Sequence, residues 1–128
     1  MNRYGAAAIE AVGLYTNGLA QSPRDAWEKA AAKIFGEGTS SQRKSCPKDA
    51  FLGLCEEGLV KGIEPGSYTR SRKNKGYAVR AVSILKQRSS LTNSPGGLWN
   101  EVLRGEPKKH NSQMDVVIAL WKSGLIQP

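Results

Sequence analysis

The amino-acid sequence predicts an all-α fold of about six helices, arranged as two similar three-helix halves that each resemble a helix–turn–helix unit. Six segments repeat apolar residues at the three- and four-residue spacing of a helix face, and almost none alternates as a strand does. Residues typical of helix starts and stops bracket these segments. The chain has 128 residues, enough for one domain with a sizeable core.

Three helices are predicted in the first half of the chain. The first runs from Arg3 to Thr16 and stops at Gly18, because glycine accepts the left-handed conformation that commonly ends a helix. The second lies between Ser22 and Gly36, and its Ser-Pro start is typical of an N-cap followed by a first helical residue. The third runs from Pro47 to Glu57. The segment Val60–Arg72 could supply a short β-ribbon after it.

Three further helices are predicted in the second half. The fourth carries an apolar stripe from Tyr77 to Leu85, and the fifth begins at Ser94-Pro95. The sixth starts near Asn111 or Ser112 and ends at Ser123. We expect the six helices to pack through large apolar side chains, namely Tyr4, Trp27, Phe51, Leu54, Trp99, Val117 and Trp121.

The two halves look like an internal duplication. The segment Asp49–Val60 aligns with Asp115–Ile126, and four of the aligned positions are identical. We therefore predict a single domain, residues 1–128, built from pseudo-repeats 1–63 and 76–128 that are joined by a basic connector, residues 64–75. The other interpretation is that the pattern Gly-Leu-aliphatic commonly ends helices that are unrelated to each other.

Positive charge is concentrated in one part of the chain. The net charge is +8, and the stretch 65–100 holds seven Lys and Arg residues but no Asp or Glu. Charges this close repel one another unless an anion neutralises them. We predict that one exposed patch binds an anionic partner, with Tyr68 able to stack on a base. The predicted patch consists of Tyr68, Arg70, Arg72, Lys73, Lys75 and Arg80.

The partner of this patch is predicted from charge and helix pattern. Nucleic acid is favoured over an acidic protein surface, and the third alternative is a solvated linker whose charges only keep the protein soluble. The pattern from Leu54 to Val60 resembles the end of a helix in winged-helix DNA-binding domains. The acidic residues of the third helix, Asp49, Glu56 and Glu57, argue against placing that helix in a DNA groove.

An enzyme is the alternative from a different class. No phosphate-binding loop, nucleophile elbow or zinc-protease motif is present. A small enzyme or redox-active protein would use Cys46, beside basic residues at a helix start, together with His110. We favour the simpler interpretation, in which Cys46 and the aligned Ser112 cap their helices. No metal and no cofactor are predicted.

No run of apolar residues approaches the length of a membrane-spanning helix, and Glu10 interrupts the apolar N-terminal stretch. We therefore expect a cytoplasmic protein with no membrane partner.

Three stretches of the sequence, Ser45–Ile63, Tyr68–Lys75 and His110–Trp121, resemble a family of small, uncharacterised bacterial proteins classed as a domain of unknown function. This resemblance implies no activity, ligand or catalytic residue.

Overall fold

The computed structural model describes residues 2–128, and within them six α-helices and one short 3-10 helix make up most of the chain. The all-α prediction is therefore confirmed. The 3-10 helix, Ser89–Asn93, was not predicted. The α-helices are α1 (Arg3–Thr16), α2 (Pro23–Phe35), α3 (Ser45–Glu56), α4 (Arg72–Gln87), α5 (Pro95–Leu103) and α6 (Gln113–Lys122).

Three of the helices begin with the same serine cap. The hydroxyl groups of Ser22, Ser71 and Ser94 each accept a backbone N–H from the residue three positions later, at 3.0 to 3.3 Å. Each cap satisfies one of the amide groups that a helix start leaves without a partner. These bonds fix where α2, α4 and α5 begin.

The core lies around α6, whose residues from Gln113 to Leu120 are all buried except Asp115. Helix α1 packs against α2 and α6, and α3 packs against α4 and α6. Of the predicted core residues, five are buried, namely Trp27, Phe51, Leu54, Trp99 and Val117, whereas Tyr4 and Trp121 are half-buried.

Two glycines allow the closest helix approaches. A Cβ atom added at Gly5 would lie 2.7 Å from the Cβ of Ala119, and one added at Gly53 would lie 2.6 Å from the Cα of Lys75. Real Cβ atoms do not approach other atoms so closely. Glycine at these positions therefore lets α1 lie directly on α6 and α4 lie directly on α3.

Helices α3 and α6 end in the same way. Gly58 and Gly124 have φ angles of 73° and 72°, a conformation that glycine adopts without steric cost. Val60 and Ile126 then form an isolated antiparallel bridge. The backbone hydrogen bonds on its two sides are both 2.8 Å long, from Lys61 N to Leu125 O and from Gln127 N to Leu59 O.

This bridge is the extent of β-pairing in residues 2–128, so the short β-ribbon is not confirmed. Equivalent positions of the aligned segments meet at the bridge, but the repeat of complete halves stays a prediction. No helix formed by the described residues is long and apolar enough to cross a membrane.

Candidate anion-binding cleft

The buried carboxylate of Glu56 ties the connector to α3. Its Oε1 atom accepts the backbone N–H groups of Tyr68 at 2.8 Å and Thr69 at 3.2 Å, and its Oε2 atom accepts Lys75 Nζ at 2.6 Å. The Glu56 side chain is only 7% exposed. The bond from Lys75, followed by the two amide bonds, lowers the Glu56 pKa to about 2 despite its burial. Glu56 therefore determines the path of the connector.

Two of the predicted patch residues are paired with the protein's own carboxylates. Lys75 is 16% exposed and lies between Glu56 and Glu57, with Nζ 2.8 Å from Glu57 Oε1. The hydrogen bond to Glu56 and then that to Glu57 raise the pKa of Lys75 above its usual value. Arg72 is exposed; one guanidinium nitrogen lies 3.5 Å from Glu56 Oε2 and another donates to Thr69 O at 3.1 Å. Part of the predicted charge is thus balanced internally.

Two other predicted residues take part in the packing of the fold. Arg80 donates to the backbone carbonyl of Val102 and so joins α4 to α5. The Tyr68 hydroxyl donates to Glu64 O at 2.7 Å, and its ring lies over Gly66, where a Cβ atom would be 2.8 Å from the Tyr68 Cζ atom. Burial is the main cause of the raised Tyr68 pKa.

Arg70 lines a polar cleft together with two cationic residues, Arg24 and Lys48, that are not part of the predicted patch. The cleft has a volume of about 640 Å³ and lies between α2, α3 and the connector. Arg24, in the first turn of α2, lines it and donates to Tyr68 O at 3.0 Å. Lys48, in α3, lines it as well. The remaining lining residues are Asp49, Ser67, Tyr68, Thr69 and Ser71.

The three cations of the cleft have no carboxylate partner within residues 2–128. None of the nitrogen atoms of Arg24, Lys48 or Arg70 lies within 4.0 Å of an Asp or Glu oxygen. With Asp49 as the one acidic lining residue, the lining carries a net charge of +2. Lys73 is exposed in the first turn of α4, and it too forms no ion pair with a described residue.

Sequence patterns could not identify Arg24 and Lys48 as neighbours of Arg70. The three residues come from separate segments of the chain, and Lys48 stands beside acidic residues that suggested an unsuitable surface. Only the packing of α2 on α3 brings them together. The predicted patch is therefore divided. Tyr68 and Arg70 line the cleft, Arg72, Lys75 and Arg80 line a separate cavity on α4, and Lys73 is exposed in the first turn of α4.

Cys46 and His110 do not form a pair in the described residues. His110 Nε2 accepts the backbone N–H of Met114 at 3.1 Å, and its ring packs on Trp99 with centroids 5.2 Å apart. Burial lowers the His110 pKa. No hydrogen bond joins His110 to Cys46, which is half-buried, and residues 2–128 contain no group of three or more His, Cys, Asp or Glu placed to hold a metal.

The capping roles predicted for Cys46 and Ser112 were wrong. Lys44 occupies the N-cap position of α3, so Cys46 is already inside the helix. Ser112 occupies the N-cap position of α6 but has a φ of 67°, and its hydroxyl makes no capping bond. His110 supplies the acceptor instead.

Comparison with known proteins identifies one family. Residues 1–127 match a family described as "Family of unknown function (DUF6979)". No curated protein and no solved structure matches the chain. The match confirms the resemblance to a domain of unknown function that the sequence stretches suggested.

Proposed function

The chain belongs to this family of unknown function (DUF6979), and we propose that it binds single-stranded nucleic acid through phosphate groups held in the cleft. The family description assigns no activity. The proposal therefore rests on one observation, namely that Arg24, Lys48 and Arg70 line one cleft and that none of the described carboxylates pairs with them.

The chemistry of the lining favours phosphate. An arginine guanidinium matches two phosphate oxygens at once, whereas a lysine ammonium acts as a point charge. The bond from Arg24 to Tyr68 O uses one of its donors and holds the guanidinium in place for a ligand. The hydroxyl groups of Ser67 and Ser71 can donate to further oxygens. Ser71 also caps α4, so the positive end of that helix lies beside the cleft.

A strand of nucleic acid suits the surroundings of the cleft better than an acidic protein. Protein interfaces have an apolar centre, whereas this cleft is lined almost entirely by polar groups. Arg72 and Lys73, two and three residues after Arg70, are exposed and supply further positive charge next to the cleft along the chain. A duplex is less suitable, because a cleft of about 640 Å³ holds a few groups of one strand and not a helix of two strands.

Binding to a single-stranded oligonucleotide should depend strongly on salt. For three phosphate contacts we expect log K to fall with log salt concentration with a slope of about −2. Changing Arg70 or Lys48 to Ala should weaken binding and make that slope shallower by about 0.7 for each variant. Fluorescence anisotropy across a salt series measures both quantities.

Lys122→Ala is the matched control for these variants. It removes the same charge from an exposed side chain that lines a different cavity, so the affinity and the slope should stay close to those of the unmodified protein. A slope near zero would exclude phosphate binding. If Lys122→Ala lost as much affinity as the Arg70 and Lys48 variants, the overall charge and not the cleft would attract the oligonucleotide.

A further inference from the structure

We propose that the cleft prefers RNA to DNA because the Asp49 carboxylate accepts a hydrogen bond from a ribose 2′-hydroxyl group. This inference rests on the proposed function and adds the substrate class of the same site. It is carried by the position of one carboxylate among the three cations of the cleft.

The orientation of Asp49 is set by a chain of hydrogen bonds. Asp49 Oδ1 accepts the hydroxyl group of Thr69 at 2.9 Å, and the backbone N–H of Thr69 donates to Glu56 at 3.2 Å. Thr69 Oγ1 in turn accepts the backbone N–H of Ser71 at 3.1 Å. Thr69 is only 6% exposed. The carboxylate is therefore held by a buried partner.

The second oxygen of Asp49 has no donor among the described residues. All of the hydrogen bonding to this side chain goes to Oδ1, and no cationic nitrogen of residues 2–128 lies within 4.0 Å of either oxygen. Since Asp49 lines the cleft and a carboxylate can only accept hydrogen bonds, Oδ2 is an acceptor available to a bound ligand.

A phosphate group alone would not benefit from this acceptor. A phosphodiester is negatively charged and carries no proton, so Asp49 repels it and opposes the attraction of the three cations. A ligand that carries a hydroxyl donor close to its phosphate gains a hydrogen bond to Asp49 as well as the ionic contacts. The 2′-hydroxyl of RNA is such a donor, and DNA lacks it.

The test compares uridine and deoxyuridine oligonucleotides of equal length, whose uracil bases carry no amino group and which differ only in the 2′-hydroxyl. We expect the unmodified protein to bind the uridine oligonucleotide about tenfold more tightly, because hydrogen bonds to a charged group are among the stronger ones. A 2′-O-methyl oligonucleotide, which can accept but not donate, should bind like the deoxyuridine one.

Asp49→Ala should abolish this preference. The variant should bind the deoxyuridine oligonucleotide at least as tightly as the unmodified protein does, because a repelling charge has been removed. A preference for RNA that persists in Asp49→Ala would overturn the inference, as would tight binding of the 2′-O-methyl oligonucleotide, a result that does not depend on a variant folding. Equal affinity for RNA and DNA would refute the inference alone, whereas binding of neither would refute the proposed function as well.

Discussion

Glu56→Ala is expected to lower the free energy of unfolding by about 3 kcal/mol, since it removes a buried carboxylate that accepts three hydrogen bonds, one of them from an ammonium group. Lys75 would lose its closest acceptor, and the amide groups of Tyr68 and Thr69 would lose theirs. Urea denaturation at neutral pH measures the change. The connector forms one side of the cleft, so oligonucleotide binding should weaken in the same variant.

Glu57→Ala is the matched control for this prediction. Glu57 also pairs with Lys75, at 2.8 Å, but its side chain is 47% exposed. Exposed ion pairs contribute little to stability, so we expect the free energy of unfolding to fall by less than about 1 kcal/mol. Similar losses in the two variants would contradict the central structural role of Glu56.

The contribution of Glu56 should also depend on pH. Its pKa is about 2 in the folded protein, against a usual value of 4.5, so the unfolded chain binds the proton more readily between these values. The stabilisation is complete above pH 4.5 and is lost as the pH falls towards 2. Glu56→Gln should remove this part of the acid sensitivity, which denaturation at a series of pH values measures.

Trp27→Ala is expected to lower the free energy of unfolding by about 3–5 kcal/mol, the usual range for deleting a buried aromatic side chain. Trp27 is fully buried, and its ring centroid lies 5.5 Å from that of Phe51 in α3. Because α2 and α3 contribute Arg24 and Lys48 to the cleft, we expect the loss of this aromatic contact to weaken oligonucleotide binding as well. Urea denaturation provides the measurement.

Trp27→Phe is the control that keeps an aromatic ring. The indole N–H of Trp27 has no hydrogen-bond partner among the described residues, so the substitution breaks no such bond and should cost much less than Trp27→Ala. A fall in the free energy of unfolding of less than about 1 kcal/mol in Trp27→Ala would contradict a stabilising role for the contact between α2 and α3.

Local sequence patterns predicted the helices well because the signals that form a helix lie within it. The Ser-Pro starts of α2 and α5 place a cap and a first helical residue side by side, and both caps form as expected. The Gly58 and Gly124 stops adopt the left-handed conformation that a helix end requires. The prediction of caps was wrong at Cys46, which lies inside α3, and at Ser112, where the positive φ changes the geometry of the N-cap residue.

The site was harder to predict because it depends on packing between distant segments. Counting charges identified the basic connector, but not that Lys75 pairs with Glu56, nineteen positions away. That pairing requires the close approach of α3 and α4 at Gly53. Arg24 and Lys48 likewise reach Arg70 only through the tertiary structure, and no spacing in the sequence indicates it.

The most direct test of nucleic-acid binding in the cleft is a map of backbone amide chemical shifts during titration with a uridine oligonucleotide. Our account predicts that the largest changes occur at Arg24, Lys48 and the residues from Ser67 to Ser71, which line the cleft. Changes concentrated instead around the cavity that Asn2, Asp115 and Lys122 line, or no changes at all, would contradict it.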